Sequence, residues 1–179
     1  IDISKRHSGA DLGIIALNGC IELGEKLNAH ILQTRAEKDA NYDREGNPIE
    51  SYLIPVEQTR FSNGEGKVKL KETVRGKDIF IVADVSNWSV KYKMFRHEVM
   101  MGPDEHLQDI KRVLSAMNGR AERVTVVMPL LYASRQHKKK ARASLDCAMA
   151  LQDLEKLGVD EIVTFDAHDP TIQNAIPLV

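Results

Sequence analysis

Short apolar runs recur along this chain with amphipathic stretches between them, and that alternation constrains the fold more than any other property. Residues 12–17, 79–84, 123–128 and 162–165 are mainly apolar runs, rich in Ile and Val, too short for helices. Each reads as a strand buried on both faces. Between them lie helical patterns. Ile21, Leu23, Leu27 and Ile31 come close to one face of a helix near 20–30, which Asn18 or Gly19 would cap. Leu107, Ile110, Leu114 and Met117 line a second, over 104–117, with Asp104 as its cap. Leu145, Ala148, Met149, Leu151, Leu154 and Leu157 line a third, over 145–157, ended by Gly158. Strand–helix alternation of this kind predicts an α/β fold, a mainly parallel sheet with helices on both faces.

Three segments fall outside the alternation. Residues 34–50 are polar and contain Asp43-Arg44-Glu45-Gly46-Asn47-Pro48, which is turn chemistry. They read either as a mobile loop or as a hairpin tip leading into 52–56. Residues 67–74 alternate polar and apolar with period two, the pattern of a half-exposed strand. Residues 85–103 hold Trp88, Tyr92, Phe95 and three methionines without clear periodicity, and an irregular or partly helical insertion is expected there.

The segment after the third apolar run carries the chemistry. Arg135-Gln136-His137-Lys138-Lys139-Lys140-Ala141-Arg142 has five Lys and Arg side chains in eight residues. With a net charge of −1 over 179 residues the chain has no general basic bias, so this is a local anion site rather than a nucleic-acid footprint. The following run ends in Asp166-Ala167-His168-Asp169. If the two strands are parallel, the cationic segment and the acid–imidazole cluster leave the same sheet edge, a place for a polyphosphate with a divalent metal. Cys20 and Cys147 are the only cysteines, which points to a reducing cytoplasm without a disulfide framework. No apolar stretch approaches the roughly 20 residues of a membrane span. The first residue is Ile1 and the last five, 175–179, are mostly apolar, so the expectation is one domain, 1–179, of a longer protein whose second domain follows.

Four segments, in order, resemble the ribose-phosphate pyrophosphokinase family, the synthases of phosphoribosyl pyrophosphate. They are Phe61-Ser62-Asn63-Gly64-Glu65; Glu72-Thr73-Val74-Arg75-Gly76-Lys77-Asp78-Ile79-Phe80; Met128-Pro129 through Arg135-Gln136 to Arg142; and Asp166-Ala167-His168 with Ile172-Gln173. Order and spacing agree over about 60–179, apart from the insertion after Asp84. The resemblance implies a phosphoribosyltransferase-like fold and the N-terminal lobe of a two-lobed enzyme. Such an enzyme moves diphosphate from ATP, with Mg2+, to C1 of ribose 5-phosphate, releasing AMP. The C-terminal catalytic lobe is absent from this chain, so the isolated fragment is expected to be inactive.

The resemblance also assigns residues. Phe61, Asn63 and Glu65 would read the adenine and ribose of a neighbouring subunit, in a homo-oligomer. On composition alone they form a hairpin turn, since Asn-Gly between two strands is a standard hairpin signal. Arg135 and Gln136 would grip the ATP phosphates, a role suited to the planar guanidinium fork; the plain reading of the basic run is a solvated loop. His168 would bond a phosphate or the metal, and Asp166, an oxygen donor, would hold magnesium directly or through water. The family usually has Asp at the position of Asn63 and of His137, and a small residue at that of Asp169. Those departures leave room for a rival, a non-catalytic regulatory or scaffold subunit. His7, His30, His97 and His106 have no partners by spacing and read as surface residues; Cys147 reads as core; Trp88 reads as packing or an interface anchor.

Overall fold

Period-two burial splits the sheet residues between two apolar layers. The computed structural model describes residues 9–135 and 144–166. Along the chain run β1 (Asp11–Ala16), α1 (Ile21–Ala36), β2 (Val56–Arg60), β3 (Gly66–Leu70), β4 (Lys77–Val82), β5 (Lys91–Met94), β6 (His97–Met100), α2 (Pro103–Met117), β7 (Arg123–Val127), α3 (Asp146–Lys156) and β8 (Glu161–Val163). Strands β1, β4, β7 and β8 form a parallel sheet in that order. Ile15, Ile79, Ile81, Val124 and Val126 meet Ile110, Val113 and Leu114 of α2 and Cys147, Leu151 and Leu154 of α3. Ile14, Val82 and Val127, on the other face, meet Leu27 and Ile31 of α1. Ile15, Ile79, Ile81 and Val126 are 0 % exposed, each contributing about 1.5–3 kcal/mol through burial. Helix α1 lies so near β1 that a Cβ on Gly24 would sit 2.5 Å from Ala16 Cβ. Helices therefore cover both faces, as the alternation predicts.

A rudimentary fifth strand borders β1. Ile14 N–H donates to Tyr52 O, and Ile54 N–H donates to Ile14 O, both at 2.8 Å; Leu53 makes a parallel bridge to Ile14. The order is then 52–54, β1, β4, β7, β8, and the direction of winding reverses between β1 and β4. Open α/β sheets bind ligands outside the carboxyl ends of their strands, at such a reversal.

Several local expectations need correction. Residues 85–90 and 101–102 are irregular, as expected, but 91–100 are not: β5 and β6 form an antiparallel hairpin there. Its four-residue strands are too short to display a period, and its turn, Phe95-Arg96, contains none of the usual turn residues. Helix α1 runs on to Ala36, and Cys20 stands at its N-cap position without a side-chain cap, in place of Asn18 or Gly19. Asp104 does not cap α2. Gly102 is its N-cap, and Glu105 Oε2 accepts from Gly102 N–H at 2.8 Å. Strand β3 stops at Leu70. Met149 and Leu157, assigned to the buried face of α3, are exposed. Strand β8 stops at Val163 and leaves Phe165 78 % exposed. The 43–48 segment is a hairpin tip: Asp43 Oδ1 accepts from Glu45 and Asn47 N–H at 2.9 and 2.8 Å, beside a Tyr42–Pro48 bridge.

Candidate functional site

Two regions gather the candidate residues. The first is the carboxyl edge of β7 and β8. Because these strands are parallel, the chain leaves both on one side. Phe165 and Asp166 N–H both donate to Pro129 O at 3.2 Å, and Leu130 bridges Asp166. Asp166 thus stands beside the root of the cationic segment, and the carboxylate and Arg135 are both exposed. The shared edge expected from the sequence is present. Gln136, His137, Lys138–Lys140, His168 and Asp169 lie outside the described residues. Tyr132 pins this segment to α2: its hydroxyl donates to Asp104 Oδ1 at 2.6 Å. Burial first, and then that bond to a carboxylate, push the tyrosine pKa up to about 12. Among the described residues no three His, Cys, Asp or Glu side chains cluster as a metal cage. A lone exposed carboxylate such as Asp166 fits magnesium that arrives on phosphate oxygens and keeps most of its waters.

The second region is the tip between β2 and β3. These strands pair antiparallel from Val56–Leu70 to Arg60–Gly66. Phe61 N–H donates to Glu65 O at 2.8 Å, and Gly64 N–H donates to Phe61 O at 2.9 Å. Asn63 Oδ1 accepts from Glu65 N–H at 3.1 Å. Gly64 has φ +90°, where an L side chain would be strained. The turn expected from composition forms, and it carries Phe61, Asn63 and Glu65 together on one exposed tip. Phe61 is 47 % exposed, so a large apolar ring is available to a ligand.

A buried polar network fixes the root of that tip. Asp109, on α2, has a side chain 4 % exposed. Its Oδ2 accepts from Arg60 Nη2 at 2.7 Å and from Gln58 Nε2 at 2.9 Å, and its Oδ1 accepts from Arg112 Nη1 at 2.6 Å. Gln58 Oε1 in turn accepts from Asn18 N–H, in the loop after β1, at 2.7 Å. The Arg60 guanidinium lies 5.6 Å from the centroid of the Tyr92 ring, and Tyr92 Oη donates to Glu105 Oε1 at 2.6 Å. The tip is therefore locked to α2 and to the loop at the winding reversal.

Sequence reasoning missed this network, although a signal exists. Positions 106, 109, 110, 113 and 117 repeat at helical spacing, so His106 and Asp109 stand on the buried stripe of α2. His106, taken above as a surface residue, is 3 % exposed, with Nε2 2.8 Å from Asn87 O. His30 and His97 are exposed as expected. Cys147 is core as expected, and burial pushes its thiol up to about 11; burial also raises that of Cys20. Neither is poised as a nucleophile. A groove of about 350 Å3 lies on the α1 side of the sheet, between Leu12, Leu27, Phe80, Val127 and Phe165. Its lining is apolar throughout, so it does not offer the anion chemistry of the carboxyl edge. No helix among the described residues is long and apolar enough to cross a membrane.

Comparison with known proteins agrees with this geometry. Residues 12–158 match the family model described as the N-terminal domain of ribose phosphate pyrophosphokinase. Ribose-phosphate pyrophosphokinase 1 of Schizosaccharomyces pombe is 33 % identical over 120 residues, 66 % of this chain and 26 % of that protein. Ribose-phosphate pyrophosphokinase B of Dictyostelium discoideum is 32 % identical over 116 residues, 64 % of this chain and 32 % of that protein. The Corynebacterium ammoniagenes enzyme is 24 % identical over 173 residues, 96 % of this chain and 44 % of that protein. The chain thus spans less than half the length of each. The crystal structure of phosphoribosylpyrophosphate synthetase from Mycobacterium smegmatis superposes with TM-score 0.62 and 21 % identity, over 93 % of this chain and 46 % of that one. The fold is accordingly of the phosphoribosyltransferase type, as the resemblance implied.

Proposed function

Since this chain belongs to the ribose-phosphate pyrophosphokinase family, matching its N-terminal domain, we propose that it is the ATP-binding half of a ribose-phosphate diphosphokinase. The complete enzyme moves the β,γ-diphosphoryl group of ATP to the C1 hydroxyl of ribose 5-phosphate, and AMP leaves. The observation that carries the proposal is the Leu130–Asp166 junction, because it sets a carboxylate beside the strand end from which the chain runs on to Arg135, at one carboxyl edge of the sheet. Arg135 pairs its planar fork with phosphate oxygens, and Gln136 holds the same nucleotide. Phe61 stacks on adenine. Asn63 Oδ1 already accepts from Glu65 N–H, and its second lone pair accepts from the adenine amine. Glu65 faces the ribose.

The Mg2+ that accompanies ATP neutralises phosphate charge, and Asp166 with His168 would hold it. The protein groups align the reactants and surround the migrating charge, which is where the rate of such a transfer arises. The exposed tip serves a neighbouring copy, so the assembly is a homo-oligomer, at least a symmetric dimer. The two unpaired, buried cysteines suit a cytoplasmic enzyme. Neither nucleic acid nor a membrane is a partner.

Incubating the full-length protein with ATP, magnesium and ribose 5-phosphate, and following AMP, tests the reading. Turnover of roughly 1–1000 per second is expected. The 179-residue chain alone should give none, since it spans less than half of its relatives. AMP absent from the full-length reaction would overturn catalysis and leave the non-catalytic subunit.

A further inference from the structure

Residues 85–103 interrupt the family's order of segments, yet they fold against its exposed tip. Phe95 N–H donates to Ser62 O at 2.9 Å. A Cβ on Gly64 would lie 3.1 Å from Met94 Sδ and 3.7 Å from Tyr92 Oη. The β5–β6 hairpin is therefore in contact with the turn that bears Phe61, Asn63 and Glu65. It is also firmly held. Met101 N–H donates to Val90 O at 2.8 Å across its base, and Tyr92 is fixed by Glu105 beneath the Arg60 guanidinium.

The turn of this hairpin is chemically unusual. Met94 pairs with His97, so Phe95 and Arg96 are its two central residues. Their φ angles are +45° and +74°. Asn-Gly occupies such a turn without strain, whereas an aromatic residue and an arginine are disfavoured. Packing does not account for them, because Phe95 is 66 % exposed and Arg96 is exposed too. Strain of this kind persists where a function requires the side chains. The residues on display are an aromatic ring and a guanidinium, next to a second exposed aromatic ring. Stacked rings suit a nucleobase, and a guanidinium suits a phosphate.

We propose that Phe95 and Arg96 form a second wall of the nucleotide site, Phe95 packing on the purine read by Phe61 and Arg96 pairing with the phosphates of the same nucleotide. The assignment rests on the reading of Phe61–Glu65 as a nucleotide contact. It makes the inserted hairpin a determinant of nucleotide affinity and base choice.

The double variant Phe95→Asn/Arg96→Gly tests this, because it keeps the hairpin by using residues that favour positive φ. In the full-length protein, thermal melting and calorimetric titration with Mg-ATP and Mg-GTP are compared with wild type and with Phe61→Ala. The expected result is an unchanged or higher melting temperature, an unchanged assembly size by light scattering, and ATP affinity lower by about tenfold, the loss of one stacking partner. Wild-type ATP affinity in the double variant, with weakened binding in Phe61→Ala, overturns the second wall and leaves the first standing. Wild-type affinity in both variants overturns the nucleotide reading of the tip itself. Weaker binding that appears only together with dissociation of the assembly overturns the assignment in favour of a contact between copies of the chain.

Discussion

The parallel sheet and the pair of antiparallel hairpins beside it are held together by different physics. In the sheet, Ile15, Ile79, Ile81 and Val126 are wholly buried, and α1, α2 and α3 bury its two faces with aliphatic side chains. In strands β2, β3, β5 and β6 no residue is fully buried. Val56, Val68 and Leu70 of β2 and β3 still pack on the core, but the hairpins are also fastened by Arg60, Gln58 and Arg112 converging on Asp109, with Tyr92 between Arg60 and Glu105. Apolar packing is insensitive to direction and strong in sum, so it makes a rigid frame with a fixed carboxyl edge. Charge-assisted bonds fix orientation, so they suit an annex that must present Phe61 and Glu65 in one pose. Under the proposed function, the frame would provide a place for phosphates and the annex a contact surface for the base.

Five substitutions would break or sharpen this contrast. Leu154→Ala, at a site 0 % exposed, should cost about 4 kcal/mol by cavity formation. Urea unfolding should show one cooperative transition at a lower midpoint, because the frame unfolds as a unit. Asp109→Ala should cost about 3 kcal/mol, since it strands the guanidinium of Arg60 in a mostly buried position. Hydrogen exchange should show β2, β3, β5 and β6 losing protection while β4 and β7 keep theirs; uniform loss across both regions would dissolve the distinction. Arg135→Ala in the full-length protein should reduce catalytic efficiency by about 2 kcal/mol, the value of a charged hydrogen bond, roughly thirtyfold. Lys139→Ala should stay within about 0.5 kcal/mol of wild type. Equal losses would mean that the edge acts as an undivided positive field. Tyr132→Phe should cost about 1 kcal/mol near neutral pH. The Tyr132 pKa in the folded protein, about 12, lies above its ordinary 10.0. The hydroxyl therefore adds stability below pH 10 and loses it as pH rises towards 12. Denaturation midpoints of wild type and variant should converge over that window, and a constant gap would show that Tyr132 acts by packing alone.

The frame was legible in the sequence because its signals are redundant. The runs at 79–83 and 124–128 are apolar but for Thr125, and α2 shows its stripe at Leu107, Ile110, Leu114 and Met117. The Phe61–Glu65 turn and the common edge of β7 and β8 were also legible, the one from Asn-Gly chemistry and the other from strand direction. The annex was less so. Lys91 to Met100 alternates over only four residues per strand, and Phe95-Arg96 carries no turn signature. Asp109 and His106 look like solvated residues when taken singly. Their burial follows only from the helical register that aligns them with Ile110 and Val113, and their partners are 51 and 19 residues away in the chain. Gln58 and Arg60 lie in a strand whose pattern gives no hint of a shared carboxylate.

Among the described residues, both rims of the parallel sheet are short. One ends in β8, three residues long, and the other in the single bridge of Leu53, two residues before Pro55, which has no N–H to donate. An open rim is a template on which a stray strand can add, and long flat rims seed aggregates. The described residues offer almost no ladder on either side, so crowding at high concentration gives neighbouring molecules little of this backbone to zip onto. Resistance to edge pairing thus follows from the lengths of these strands, and lengthening β8 with alternating apolar residues would offer a stray strand a longer template.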